Sequence, residues 1–242
     1  MAFLDSLGGA EVKGAADTRD NGFILARRTR NQVRMVFRPA RLEAEPSSQE
    51  KSLSETTWNG PACSTAARLL RSDGFSAFAK RVTDTPVPKG GWEQNPALSA
   101  PKVHAEAMKA FKLSPEAATL YLQTLAMATP TARAVQLWND WKPATYKKAA
   151  EELVGKKLLV EAKRERAGRD HFLPGPWEAL KSPDLPIESW KLSLYKCRRE
   201  NELVHKPLSR ILPMRPPHEL FAEALQRLQQ GDRPVYEEVK SK

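Results

Sequence analysis

Between Leu113 and Pro174 the apolar residues fall at helical spacing, in three short runs separated by turn residues. The first two runs open on Ser114-Pro115 and Thr129-Pro130, each a hydroxyl directly before a proline. Such a hydroxyl accepts from an unpaired N–H of the first helical turn. Proline loses nothing at the first helical position, because the donor it lacks has no partner there. Lys142-Pro143 gives a third start without the hydroxyl. In the third run Tyr146, Ala149, Ala150, Leu153 and Val154 share one face, and Thr145, Lys147, Lys148, Glu151 and Glu152 occupy the other. The spacing then changes to that of a hairpin: KLLVE, a charged loop, and HFLPG. Leu120, Val135, Trp138, Leu153 and Leu158 are the residues this unit is expected to bury together.

The rest of the chain alternates patterned and unpatterned stretches. Gly22 to Arg27 and Gln32 to Arg38 are predicted to pair as strands across an RRTRN tip, with Val33, Met35 and Phe37 on the inward side. Leu42 to Pro61 is rich in Glu, Ser, Thr and Pro and is expected to be a mobile linker. Helices are predicted over Ala62–Arg71 and Phe75–Val82, broken at Asp73-Gly74. A Pro/Gly-rich stretch follows, whose Trp92 is expected to lie against a surface. Lys102 to Lys112 predicts a further helix with Val103, Ala107, Ala110 and Phe111 inward. Beyond the hairpin, Trp190, Leu192 and Leu194 alternate with polar residues as in a strand. Leu220, Phe221, Ala224, Leu225 and Leu228 predict a last helix, closed by Gly231. No internal repeat is present. The expected fold is mainly α with small β-hairpins. Its expected segments are an Arg-rich region over 1–41, a linker over 42–61, a helical pair with connector over 62–101, a central domain over 102–175 and a C-terminal extension over 176–242.

Three helices with tight connections, followed by a basic hairpin, resemble the winged helix-turn-helix superfamily. That resemblance implies a module that docks on nucleic acid or on protein, with the third helix and the wing as its contact surfaces. Lys147 and Lys148 would then face the duplex. The same lysines stand four residues before Glu151 and Glu152, so mutual pairing on a solvated face is the competing reading. Arg, Asn and Gln are missing from the exposed N-terminal turns of that helix, so base-specific readout is not expected.

Charge adds to this picture. The chain of 242 residues carries 39 Lys+Arg against 29 Asp+Glu, a surplus that favours polyanionic partners. Seven arginines and one acid, Asp20, lie between Arg19 and Arg41. Arginine's planar fork matches phosphate, which marks Arg27, Arg28, Arg30 and Arg34 as candidate nucleic-acid contacts. In the wing, Lys163, Arg164, Arg166 and Arg169 outnumber Glu165 and Asp170 and are candidate phosphate contacts as well. Trp141 and Trp177, in turns beside the central domain, are candidate anchors for a protein partner.

Other chemistry is thinly represented. Gly8-Gly9 and Gly90-Gly91 lack a phosphate-loop context, and the four histidines stand apart from one another. Cys197 and His205 have no orienting third group, so no catalytic role, cofactor, metal or small-molecule substrate is expected. Two cysteines far apart in sequence suit free thiols in a reducing compartment. With no long apolar run, a cytoplasmic accessory protein is expected. It would bind DNA or RNA through phosphate contacts, in a larger assembly. An adaptor that touches only acidic protein partners is the alternative.

Overall fold

A computed structural model of the chain describes residues 10–12, 15–20, 22, 24–28, 33–38, 45, 66–84, 86–201, 203–207 and 210–235. The chain divides into two compact units, Met1–Ser76 and Ala77–Lys242. The expected linker lies outside the described residues apart from Glu45.

The first unit holds a four-stranded antiparallel meander: β1 Ala10–Val12, β2 Ala15–Asp20, β3 Ile24–Arg28 and β4 Val33–Phe37. β3 and β4 are the expected pair, in a register that sets Ala26 opposite Met35 and Arg27 opposite Arg34. β1 and β2 were not foreseen, since AEV and AADTRD lack clean alternation of apolar and polar residues. Ala26 and Thr18 are buried. Arg38 grips Asp20 with Nη1–Oδ1 at 2.6 Å and Nη2–Oδ2 at 2.8 Å. This fork holds the Asp20 carboxyl below its usual range. A helical stretch over 66–70 precedes α1, Asp73–Asp84.

The core of the second unit forms around one helix. α2 (Pro96–Ser99), α3 (Pro101–Phe111), α4 (Pro115–Ala126), α5 (Ala132–Asn139) and α6 (Pro143–Gly155) follow in order, each opened by a proline except α5. A two-residue ladder, β5 Val160–Glu161 with β6 His171–Phe172, forms the hairpin. Next come β7 (Trp177–Glu178) paired with β8 (Ile187–Glu188), and a 3₁₀ helix over Ser189–Tyr195. The β9–β10 hairpin (Arg198–Glu200, Leu203–His205) and α7 (Pro217–Gln229) complete the unit. α4 is apolar on all sides, and every residue from Ala117 to Ala126 is buried. It packs against α3, α6, α7 and the 3₁₀ helix. The core therefore runs from Ala100 to Leu228, and the segment expected as a C-terminal extension supplies several of its walls.

Polar groups on so buried a helix need partners of their own. Thr119 Oγ1 lies 2.9 Å from His104 Nε2. Gln123 and Asn139 exchange amide hydrogen bonds at 3.2 and 3.0 Å, which ties α4 to α5. Thr124 bonds back to Leu120 O at 2.8 Å.

Several local expectations change. Ser114 caps α4 as expected, accepting from Ala117 N at 3.2 Å. The cap of α5 is Thr131, which accepts from Ala134 N at 3.1 Å, and Thr129-Pro130 lies in the turn before it. Leu120, Val135 and Leu153 are buried as expected, while Trp138 and Leu158 are half-buried and Leu159 takes the inner place. On α3, His104 is buried and Ala110 exposed. Trp92 stays exposed, and the stretch expected as a strand at Trp190–Leu194 is the 3₁₀ helix. In the last helix the five predicted apolar residues are all buried, and Gly231 follows at φ +90°.

Glu152 bridges α6 to the start of α4. It accepts from Ser114 N at 3.0 Å and from Ser114 Oγ at 2.6 Å. Partial burial raises its carboxyl, but these bonds outweigh that effect and hold it below its usual range. Glu152→Ala is expected to cost about 1.5–3 kcal/mol in denaturant unfolding at neutral pH, the scale of charged hydrogen bonds. The lowered folded value means this contribution is complete above the unfolded carboxylate range and fades as pH falls through it. The wild type and the variant should therefore converge in acid.

Candidate nucleic-acid interface

The hairpin that resembles a wing is held from within. Arg169 is buried, and its Nη2 lies 2.7 Å from Glu188 Oε1. Lys191 Nζ approaches Glu188 Oε2 at 2.9 Å and donates to Met127 O at 2.8 Å. All three side chains are almost completely shielded from water, with Lys191 at 0% exposure. Burial alone would raise the Glu188 carboxyl. The charges of Lys191 and Arg169 outweigh that and bring it down to about 2. Burial pulls the Lys191 ammonium down to about 8, against the attraction of Glu188.

Arg164 is also committed. Its guanidinium lies 4.7 Å from the Phe172 ring centre and 4.6 Å from that of Trp177. The two rings meet edge to face at 5.2 Å. Its Nη1 is buried without a hydrogen-bond acceptor, and the ring faces take the place of one. Arg166 is exposed, yet its guanidinium donates to Leu180 O and Asp184 O at 2.7 Å each. These contacts correct the expectation of a wing free to hold phosphate: Arg164, Arg166 and Arg169 bind the hairpin to the rest of the unit. Lys163 alone among the four wing candidates is exposed with neither a hydrogen bond nor an ion pair to another described residue.

Both tryptophans expected as anchors are partly covered by the chain itself. Trp141 is half-buried and packs on the core. Trp177 is half-buried under Arg164, as a clamp within the chain. Trp190 donates from Nε1 to Asp232 Oδ1 at 2.9 Å and lies 3.9 Å under Arg227.

The third helix is the more open cationic surface. Lys142, Lys147, Lys148, Lys156 and Lys157 are exposed on α6 and its ends. Glu152 turns to Ser114, so the anticipated Lys148–Glu152 pair does not form. Lys147 and Glu151 stand 3.8 Å apart, a loose pair between side chains 76% and 62% exposed. From Lys142 to Lys163 the chain places six lysines against three glutamates. Helical spacing alone has both lysines of the face balanced, because it cannot show that one glutamate is drawn to a distant helix start.

In the first unit, Arg27 and Arg28 are exposed. Arg34 is placed only by its register opposite Arg27, and Arg30 lies outside the described residues.

Elsewhere, Cys197 is a buried free thiol whose Sγ lies 3.5 Å from Tyr195 O, and Cys63 lies outside the described residues. His205 faces Glu200 at 3.6 Å, and no hydrogen bond joins it to Cys197. No group of three or more His, Cys, Asp or Glu among the described residues is placed to hold a metal. No helix among them is long and apolar enough to cross a membrane. Comparison with known proteins gave no match: no family model, no curated protein and no solved structure is similar to this chain.

Arg169→Met leaves the Glu188 carboxylate buried with only Lys191 beside it. Breaking a buried pair from one side costs about 3–5 kcal/mol, so the variant is expected to lose that much stability by chemical denaturation. Lys163→Met, at an exposed position, should change it little.

Proposed function

We propose that this chain is a non-enzymatic, cytoplasmic accessory protein that binds nucleic acid through phosphate contacts, within a larger assembly. The carrying observation is the exposed lysine face of α6 and its ends, which has one loose ion pair for its six lysines counted through Lys163. The order α4, α5, α6 and the β5–β6 hairpin supports a winged helix reading of the second unit. In such a module the third helix approaches the duplex. Here that helix has lysines to offer, while most wing arginines are engaged inside the unit. Lysine acts as a point charge without a planar fork, which suits contact with phosphates over readout of bases. Arg27 and Arg28, both exposed, add a second cationic surface on the first unit.

The test is the salt dependence of duplex DNA binding by the whole chain. Changing Lys147, Lys148, Lys156 and Lys157 to Gln is expected to flatten the log–log slope by about 0.9 for each phosphate no longer neutralised, alike on unrelated sequences. Arg27→Ala with Arg28→Ala should weaken binding with an unchanged thermal midpoint, since both side chains are exposed. Salt-independent binding, or wild-type slopes in both sets of variants, would refute this reading. Release of an acidic protein partner by the same substitutions would instead favour an adaptor.

A further inference from the structure

A cavity of about 560 Å³ opens in the second unit, away from the lysine face in its chemistry. Phe78, Val82, Trp138, Tyr195, Pro217 and Leu220 make most of its wall apolar. Its volume falls within the range of about 300–1,000 Å³ that takes a small organic molecule. α1 contributes Phe78 and Val82, and none of that helix's residues is buried, so its apolar side is left only partly covered.

The polar part of the wall carries one cation and one anion, which cancel. Arg81 Nε lies 3.0 Å from both carboxylate oxygens of Glu93, and Arg81 Nη2 donates to Ser99 O at 2.7 Å. His218 stands near this pair, and burial together with the Arg81 charge holds it below its usual range, hence neutral at pH 7. Tyr195 donates its hydroxyl to Ala126 O at 2.7 Å, and burial raises its pKa, so it adds no charge either. Four side-chain donors of lining residues have no acceptor among the described residues: Arg81 Nη1, the Gln94 amide, the Trp138 indole N–H and the Thr129 hydroxyl.

We propose that this cavity is a binding site for a neutral, mainly hydrocarbon small molecule that carries hydrogen-bond acceptors such as a carbonyl oxygen or ring nitrogen. An ionised ligand would leave water for a wall with no net charge to receive it. A pure hydrocarbon covering these water-accessible donors would take their water without giving an acceptor in return, which discriminates against such a ligand. The inference is independent of nucleic-acid binding, because none of the lysines of α6 lines the cavity.

The probe is 6-propionyl-2-dimethylaminonaphthalene, a neutral fluorophore with a carbonyl acceptor, titrated into the full chain. 1-Anilinonaphthalene-8-sulfonate serves as its anionic counterpart. Saturable one-to-one binding of the neutral probe with blue-shifted emission is expected, tighter than that of the sulfonate. Val87→Trp, which fills the cavity from its rim, should weaken binding by about tenfold or more. Thr129→Val removes a hydroxyl at nearly constant volume and is expected to weaken it by a smaller factor. The thermal midpoint of each variant is measured alongside, and Thr129→Val decides the matter if Val87→Trp fails to fold. The proposal is overturned if the neutral probe does not saturate or the sulfonate binds more tightly. It is overturned also if a folded variant binds like the wild type. Affinity for the probe that falls as protein concentration rises would show a second copy of the chain covering the cavity, and would overturn it too.

Discussion

The carboxylate of Glu188 is the point on which the second unit depends. It stands at the end of β8 and receives Arg169 from the hairpin loop and Lys191 from the 3₁₀ helix. Lys191 continues the link to Met127 O, where α4 ends. One buried anion thus fixes three segments that sequence places far apart. Moving these charges out of water costs several kcal/mol per ion, and only their mutual proximity and hydrogen bonds offset it. Such a cluster contributes more to specificity than to net stability: a hairpin in another position would leave a charge buried alone. The β5–β6 hairpin is positioned by this constraint, and its loop is closed further by Ala132 N donating to Gly168 O at 3.0 Å.

A helix buried on every side imposes a second constraint. α4 has no solvated face to which polar side chains can turn, so Thr119, Gln123 and Thr124 are each matched inside the protein. The same demand acts at its start. Ser114 caps the helix, and Glu152 from α6 secures Ser114 by two bonds. That arrangement has an electrostatic result on the far side of α6. With Glu152 held by Ser114, no ion pair closes to Lys148, and the carboxylate acts on Lys148 and Lys156 only through space. Core architecture and surface potential are coupled through this one glutamate.

Helix existence and order from α3 to α7 were legible, because apolar spacing and proline starts act locally. Helix ends were less so. Lys112 and Asp140 end α3 and α5 in the left-handed region at φ 52° and 53°, positions where a glycine would have marked the stop. The 3₁₀ helix at Ser189–Tyr195 looked like a strand, since Trp190, Leu192 and Leu194 alternate. Leu192 and Leu194 are indeed buried, but so is Lys191 just before them, which no rule of alternation anticipates for a lysine. That Arg164, Arg166 and Arg169 are engaged within the unit was hidden for the same reason. Composition gives the number of charges in a loop, whereas their partners Glu188, Phe172, Trp177 and the Asp184 carbonyl come from other parts of the chain.

This division between arginine and lysine bears on what net charge means here. The guanidinium group is planar, weakly hydrated and able to stack, so it can leave water for the faces of Phe172 and Trp177. The ammonium group is compact and strongly hydrated, and α6 keeps its lysines outside. The formal charge of +10 already sets Asp20 against Arg38 and Glu188 against one of its two cations, so what a polyanion meets depends on which charges lie exposed. Arg38 is neutralised by Asp20, Arg169 and Lys191 share Glu188 inside the unit, and Arg164 faces aromatic rings. The field that steers a partner comes from the charges that remain exposed and unpaired, among them lysines along α6 and at its end. Attraction there is governed by screening, so it is strong at low salt and short in range at physiological ionic strength. A surface of this kind favours close apposition along a phosphate backbone over recognition of a distant or sparsely charged partner.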